Sequence, residues 1–285
     1  MLARVKNLYF EFCTNYLKSK HLNYNMKKFE EIWIKTNNNL KLKSYIYNPK
    51  KELITIIMCH GFSGNSSGIF NPKFAEELSK KYLVCRFDFR GQGKSEGRFY
   101  NSSITIELED LKNIISYIKK YYQPKKMILL GHSFGSLISI LYISKNSLDG
   151  LISLSGVSNN NKLINIEFNS QQLSELDKKG KIQIVNWSKN GELDLLGKQF
   201  LDDIKKYSIL KAAKKIKIPT LIIHGKKDDI VPHSHSKELY QLIKGPKKLI
   251  LIENADHLFN FFDEKNSKVD MVIKYIKIWL KRNFN

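Results

Sequence analysis

Short runs of nearly unbroken apolar residues, separated by longer amphipathic segments, recur along most of this sequence. The runs fall at residues 53–59, 82–87, 126–130, 150–154, 219–224 and 248–253, and the segments 72–81, 104–122, 134–145, 234–243 and 265–282 repeat apolar residues at helical spacing. A strand that is apolar on both faces has to be covered on both. That condition is met when neighbouring strands run parallel and are joined by helices packed above and below them. The pattern therefore predicts an α/β fold with a mostly parallel central sheet and helices on both faces. Ahead of it, residues 31–36 and 40–47 flank an Asn-rich turn and predict an antiparallel hairpin at a sheet edge.

The alternation breaks between about residues 157 and 211. Within that stretch, residues 181–186 and 192–196 flank Asn190-Gly191, a hairpin turn signal. This predicts a small cap inserted into the core: residues 26–156 and 212–285 form the two parts of the core and 157–211 form the cap. Residues 1–25 read as an N-terminal extension in which Leu2, Val5, Tyr9, Phe12 and Tyr16 recur at helical spacing, an amphipathic helix suited to docking on the domain or on a membrane surface. Met26 is an alternative start.

At 285 residues and 42% hydrophobic content, the chain supports one sizeable core plus an insertion. No apolar run approaches the roughly 20 residues needed to span a bilayer. Glu11, Asn15 and Lys18 interrupt the N-terminal apolar stretch before it reaches signal-peptide length, so a cytoplasmic protein is expected. Of the 3 cysteines, Cys59 and Cys85 sit inside apolar runs, which argues against a disulfide framework. The net charge of +21 is spread through the chain rather than concentrated on one element with interleaved aromatics. No specific nucleic-acid partner is expected from that distribution, whereas weak association with an anionic membrane surface remains open.

The chemistry concentrates at Gly131-His132-Ser133-Phe134-Gly135, a G-x-S-x-G match between a predicted strand and a predicted helix. A tight turn there holds a serine in a strained conformation with its hydroxyl exposed, and needs small residues on either side. Serine is a poor nucleophile at neutral pH and requires a base, itself oriented by an acid. In this arrangement the acid and the base follow the serine in that order. The loop after run 219–224 carries Asp228-Asp229, either of which is placed to be the orienting acid. The loop after run 248–253 carries His257, the candidate base. His224 is less suited because it lies within or at the end of a strand, and His233 and His235 flank the next helix and are expected to be solvated. The oxyanion formed by attack on a carbonyl needs two backbone donors, for which the amides of Phe134 and of Phe62, in the loop His60-Gly61-Phe62, are the candidates.

With those residues assembled, the sequence from about Glu31 onward resembles the α/β-hydrolase superfamily, and within it the small-cap esterases, including cinnamoyl (feruloyl) esterases and monoacylglycerol-lipase-like enzymes. The resemblance rests on His60-Gly61-Phe62, on the segment from Arg86-Phe87-Asp88 through Arg90-Gly91-Gln92-Gly93 to Gly97, on the turn around Ser133, on His224-Gly225-Lys226-Lys227-Asp228 and on Ala255-Asp256-His257. It implies Asp228 rather than Asp229 as the acid, and hence a carboxylic-ester hydrolase with the triad Ser133, Asp228 and His257, a small-molecule ester as substrate, and no metal or organic cofactor. Two departures stand out. Gln92 occupies a buttressing position where the family often has histidine, and the cap residues do not match the phenolic-ring contacts of feruloyl esterases. Trp187 and Phe200 are the candidate substrate-binding residues of the cap, with Phe168, Leu173, Leu195 and Leu196 as further apolar walls. Two other readings are a serine aminopeptidase or amidase on the same fold, and a non-catalytic protein that binds an anionic partner through its positive charge.

Overall fold

The structure is a computed structural model that describes residues 29–48 and 54–284. The expected N-terminal amphipathic helix, Met26 and Leu53 lie outside the described residues. The strands are β1 (Phe29–Lys35), β2 (Lys41–Tyr47), β3 (Ile54–Cys59), β4 (Leu83–Phe87), β5 (Lys126–His132), β6 (Gly150–Leu154), β7 (Lys181–Asn186), β8 (Glu192–Gly197), β9 (Thr220–Gly225) and β10 (Lys247–Ile252). The helices are α1 (Asn71–Ser79), α2 (Ile104–Tyr122), α3 (Phe134–Ile143), α4 (Asn160–Glu167), α5 (Ser170–Lys179), α6 (Gln199–Ile204), α7 (Ile209–Ala213), α8 (Ser234–Leu242) and α9 (Val269–Phe284).

Eight strands form one sheet in the order β1-β2-β4-β3-β5-β6-β9-β10. β1 pairs antiparallel with β2 and β2 antiparallel with β4, whereas every pair from β4 to β10 is parallel. The hairpin at a sheet edge and the mostly parallel sheet are therefore both present. Every residue of β3, β4, β6 and β9 is buried, as strands covered on both faces must be. One apolar core lies under α2, α3 and α8, with Leu111, Ile115, Leu137, Leu141 and Leu239 in contact. The other lies under α1 and α9, with Phe74, Leu78, Val272, Ile276 and Leu280.

Between β6 and β9 the chain leaves the sheet and folds into α4, α5, the β7–β8 pair, α6 and α7. β7 and β8 are antiparallel, and Asn190 and Gly191 in their connection take φ of 58° and 83°, the left-handed values that this dipeptide accommodates at little cost. In the parallel part of the sheet, the carboxyl ends of β3, β5, β6, β9 and β10 lie along one edge, and the loops that leave them share that edge, where ligands bind in open α/β sheets.

Candidate active site

Ser133 follows β5 and immediately precedes α3, at φ 53° and ψ −118°. A side chain there is strained, and the turn persists because the surroundings allow no other path. A Cβ on Gly135 would lie 2.2 Å from the Cys59 carbonyl oxygen, and one on Gly131 would lie 2.4 Å from that of Gly135. Both glycines are thus required by close backbone approach. The Ser133 amide donates to Leu154 O at 2.8 Å, which ties the turn to the end of β6.

Asp228, in the turn after β9, is buried, while Asp229 is exposed. Asp228 Oδ1 accepts the amides of Ile230 (3.1 Å) and Val231 (2.8 Å). Its Oδ2 faces His257 Nδ1 at 2.7 Å and His224 Nε2 at 2.9 Å. Of the acidic pair, the structure therefore brings Asp228 to His257. The loop after β10 that carries His257 packs tightly on β9, since a Cβ on Gly225 would lie 2.2 Å from Ala255 O. The His257 carbonyl accepts from His132 Nε2 at 3.1 Å and from Ser155 Oγ at 3.2 Å. His132, directly before Ser133, therefore holds the backbone of His257, and the two rings lie 4.9 Å apart. Among the described residues no hydrogen bond joins the Ser133 hydroxyl to the His257 ring; in unliganded sites such contacts are often long and tighten on binding.

The charges at the site reinforce one another. Burial alone raises a carboxyl, yet the adjacent His257 and His224 outweigh it and hold Asp228 well below the usual carboxylate range. Burial lowers an imidazole, yet the Asp228 carboxylate and its hydrogen bond leave His257 above the ordinary value. Burial and then His257 push His132 down to about 3, outweighing the opposing effect of Asp228. The site therefore holds one imidazole with its basicity raised, flanked by one kept neutral.

Neither the Phe62 nor the Phe134 amide donates to a protein acceptor among the described residues. Phe134 is the first residue of α3, where such a free amide is expected. The loop carrying Phe62 is fixed by His60, whose Nδ1 faces Gly61 O at 2.9 Å while its Nε2 accepts the Phe89 amide at 3.1 Å. Burial pushes His60 down, consistent with this neutral, doubly bonded ring. A Cβ on Gly61 would meet Ser133 Cβ at 3.5 Å, so this loop runs directly past the serine.

Phe200, expected to line the substrate pocket, is fully buried on α6. Its ring packs on Phe62 (4.8 Å), Phe134 (5.8 Å) and Phe168 (6.2 Å), so it reaches both residues of the proposed oxyanion pair. Trp187 is half-buried in the β7–β8 connection, where the next residue, Ser188, donates its amide to Ser63 O at 2.5 Å. His235 departs from expectation. It is buried rather than solvated, because Ser158 at the start of the inserted segment contacts its Nδ1 through both the amide (3.2 Å) and the hydroxyl (2.9 Å). His224 and His132 went unassigned in the sequence. The signal for His224 was a histidine ending an apolar strand four residues before the acid; the signal for His132 was its place beside the serine.

Among the described residues no group of three or more His, Cys, Asp or Glu side chains is placed to hold a metal ion, and no helix is long and apolar enough to cross a membrane. YfhR of Escherichia coli K12, an uncharacterised protein, is 28% identical over 211 residues, which cover 74% of this chain. The chain spans 65% of the length of YfhR. Proline iminopeptidase of Saccharolobus solfataricus is 24% identical, over 81% of this chain and 87% of the relative. The solved structure of Est1E from Butyrivibrio proteoclasticus with ferulic acid bound shares the fold, with a TM-score of 0.72 and 22% identity over 88% of this chain and 98% of Est1E. The model of the family described as serine aminopeptidase, S33, matches residues 50–181 and 196–265, and the chain belongs to that family of α/β hydrolases.

Proposed function

We propose that the protein is a serine carboxylic-ester hydrolase that works through an acyl-enzyme on Ser133, with Asp228 orienting His257 and the amides of Phe62 and Phe134 receiving the oxyanion. The observation that carries the reading is the 2.7 Å contact between His257 Nδ1 and Asp228 Oδ2. A carboxylate only accepts, so Nδ1 holds the proton and the Nε2 lone pair is left to act as base. His257 takes the Ser133 proton as Oγ bonds to the acyl carbon, and the carbonyl electron pair moves onto the oxygen. Collapse expels the alcohol, which receives that proton from His257. Water, deprotonated by the same imidazole, then releases the acid and restores Ser133.

The rings of Phe62, Phe134, Phe168 and Phe200 lie together beside the proposed oxyanion amides and favour an apolar acyl or aryl group. Segment 157–211 acts as a cap that sets acyl preference without contributing to the bond-breaking chemistry. Amide cleavage is the second reading, favoured by the family description and by the proline iminopeptidase relative. Turnover of p-nitrophenyl acetate and butyrate, set against amino-acid p-nitroanilides, separates the two. Wild type is expected to prefer the esters, and Ser133→Ala, folded, is expected to lose about a thousandfold or more. Higher kcat/KM on the anilides would move the assignment to an amidase, and near-wild-type turnover by Ser133→Ala would remove the nucleophile.

A further inference from the structure

We infer that His224 is a positioning residue of this site: it donates through Nε2 to the oxygen of Asp228 that His257 uses, and so fixes both the orientation of that carboxylate and the share of its charge that reaches the base. The inference rests on the esterase reading only in that the site is taken to be catalytic.

Asp228 Oδ1 is filled by the amides of Ile230 and Val231, and Oδ2 faces His257 Nδ1 and His224 Nε2. His224 Nε2 also lies 2.8 Å from Val231 O. A carboxylate and a carbonyl both only accept, so Nε2 must carry a proton, shared between them. Across the ring, Nδ1 lies 2.6 Å from the hydroxyl of Ser236, which can donate or accept. His224 and Ser236 are both fully buried. A buried hydrogen-bonded chain thus runs from Ser236 on α8 through His224 at the end of β9 to Asp228, which His257 meets from the other side. Each polar atom of the chain has its partner, which a buried polar group requires.

Two consequences follow when the donor is removed. The carboxylate keeps its anchors on Oδ1 but can pivot about them, because only one donor then restrains Oδ2. The charge on Oδ2 is also no longer divided between two imidazoles, so it stabilises a protonated His257 more strongly and holds the base in its inactive form to a higher pH. The charged and titratable groups facing this chain, besides Asp228 and His257 themselves, are His132, His233, His235, Glu167 and Asp256, with Lys226 and Lys237 acting on His233 and Lys162 and Glu238 on His235. The three other histidines have depressed values, and Glu167 and Asp256 act on His257 in wild type and variants alike, so a change in the limb reports the change at Asp228.

The test compares His224→Phe, which keeps a flat ring but donates nothing, with His224→Gln, whose amide keeps an N–H within reach of Asp228, both in the full chain. In His224→Phe, kcat/KM on p-nitrophenyl acetate is expected to fall about tenfold or more, as when a residue orienting an active group is lost. The acid limb of its pH profile is expected to rise by about half a unit. His224→Gln is expected to recover most of the rate and the position of the limb. In substrate-free protein, the low-field proton resonance of His257 Nδ1–H should move in His224→Phe and return in His224→Gln; this readout does not depend on the reaction. A folded His224→Phe with the wild-type limb and resonance overturns the inference, and so do equal losses in both variants. Should His224→Phe fail to fold, His224→Met decides, since it too is apolar and donates nothing to Asp228; an unchanged limb and resonance there overturn the inference as well. If wild type lacks esterase activity, or Ser133→Ala keeps it, the esterase reading fails while the resonance still tests His224.

Discussion

Gln92 Nε2 donates to Glu107 Oε1 at 2.9 Å, yet Glu107 Oε2 and Gln92 Oε1, both buried, have no partner. A Glu107 carboxyl protonated on Oε2 carries a donor where the ionised group has none, and leaves no unpaired charge buried there. Burial pushes Glu107 well above the usual carboxylate range, in agreement with a neutral acid. Because the folded value is raised, the group holds its proton in the folded chain after the unfolded chain has lost it. Its contribution to stability is full at low pH and is lost as pH rises through the folded value. Glu107→Gln should keep the acceptor for Gln92 and a neutral donor at every pH. Its thermal midpoint should therefore fall less than that of wild type as pH is raised from the ordinary carboxylate range through neutrality. A slope equal to wild type would show that Glu107 is ionised in place. At this scale the sequence was informative about residue type and order: Ser133, the acidic pair and His257 were all legible. His224 showed only as a histidine ending an apolar run four residues before the acid, and such a run does not reveal that strand register and a tight turn set that ring behind Asp228.

Helix α2 and strand β6 match the boundaries expected from the sequence because local signals define them: the Ser103 side chain caps the first turn of α2 by accepting the Ile106 amide, and Gln123 ends the helix in the left-handed conformation. Strand β5 continues past residue 130 through Gly131 and His132, since its ladder with β6 runs on to the pairing of His132 with Leu154. Apolar periodicity misses this extension because glycine and histidine carry none. Helix α9 starts at Val269 rather than 265, because the preceding residues fold back into turns in which Asn266 donates to Asp263 O and Lys268 to Phe259 O. The inserted segment was the least legible part. Its hairpin announced itself through Asn190-Gly191, but α4 and α5 are short helices that depend on Asn159 and Asn169 as caps rather than on a long apolar stripe. The burial of Phe200 also changes what its substitution should do. Phe200→Leu keeps an apolar side chain but opens space beside the Phe62 ring, so the butyrate-to-acetate ratio of kcat/KM for p-nitrophenyl esters should rise about threefold, the worth of a methylene or less in an apolar pocket. An unchanged ratio with a lowered thermal midpoint would assign Phe200 to packing alone.

As a whole, the molecule places two apolar cores on either side of a sheet whose parallel strands deliver their loops to one edge, and the candidate site is assembled from four of those loops. That geometry explains why residues as far apart in sequence as Gly61, Ser133, Asp228 and His257 share one edge of the sheet, and why a rhythm of apolar runs was enough to anticipate that edge. The net charge of +21 plays no part in that assembly; the carboxylate and imidazoles of the site are arranged by burial and hydrogen bonds. The central claim is that Ser133 carries the acyl group during turnover. It is tested most directly by acid-quenching wild-type protein in the presence of excess p-nitrophenyl butyrate and locating the added mass by peptide sequencing in the mass spectrometer. A butyryl group on Ser133, present in wild type and missing in Ser133→Ala, is the predicted result; hydrolysis of the ester with the acyl group on another residue, or with none trapped under conditions where it should accumulate, would contradict it.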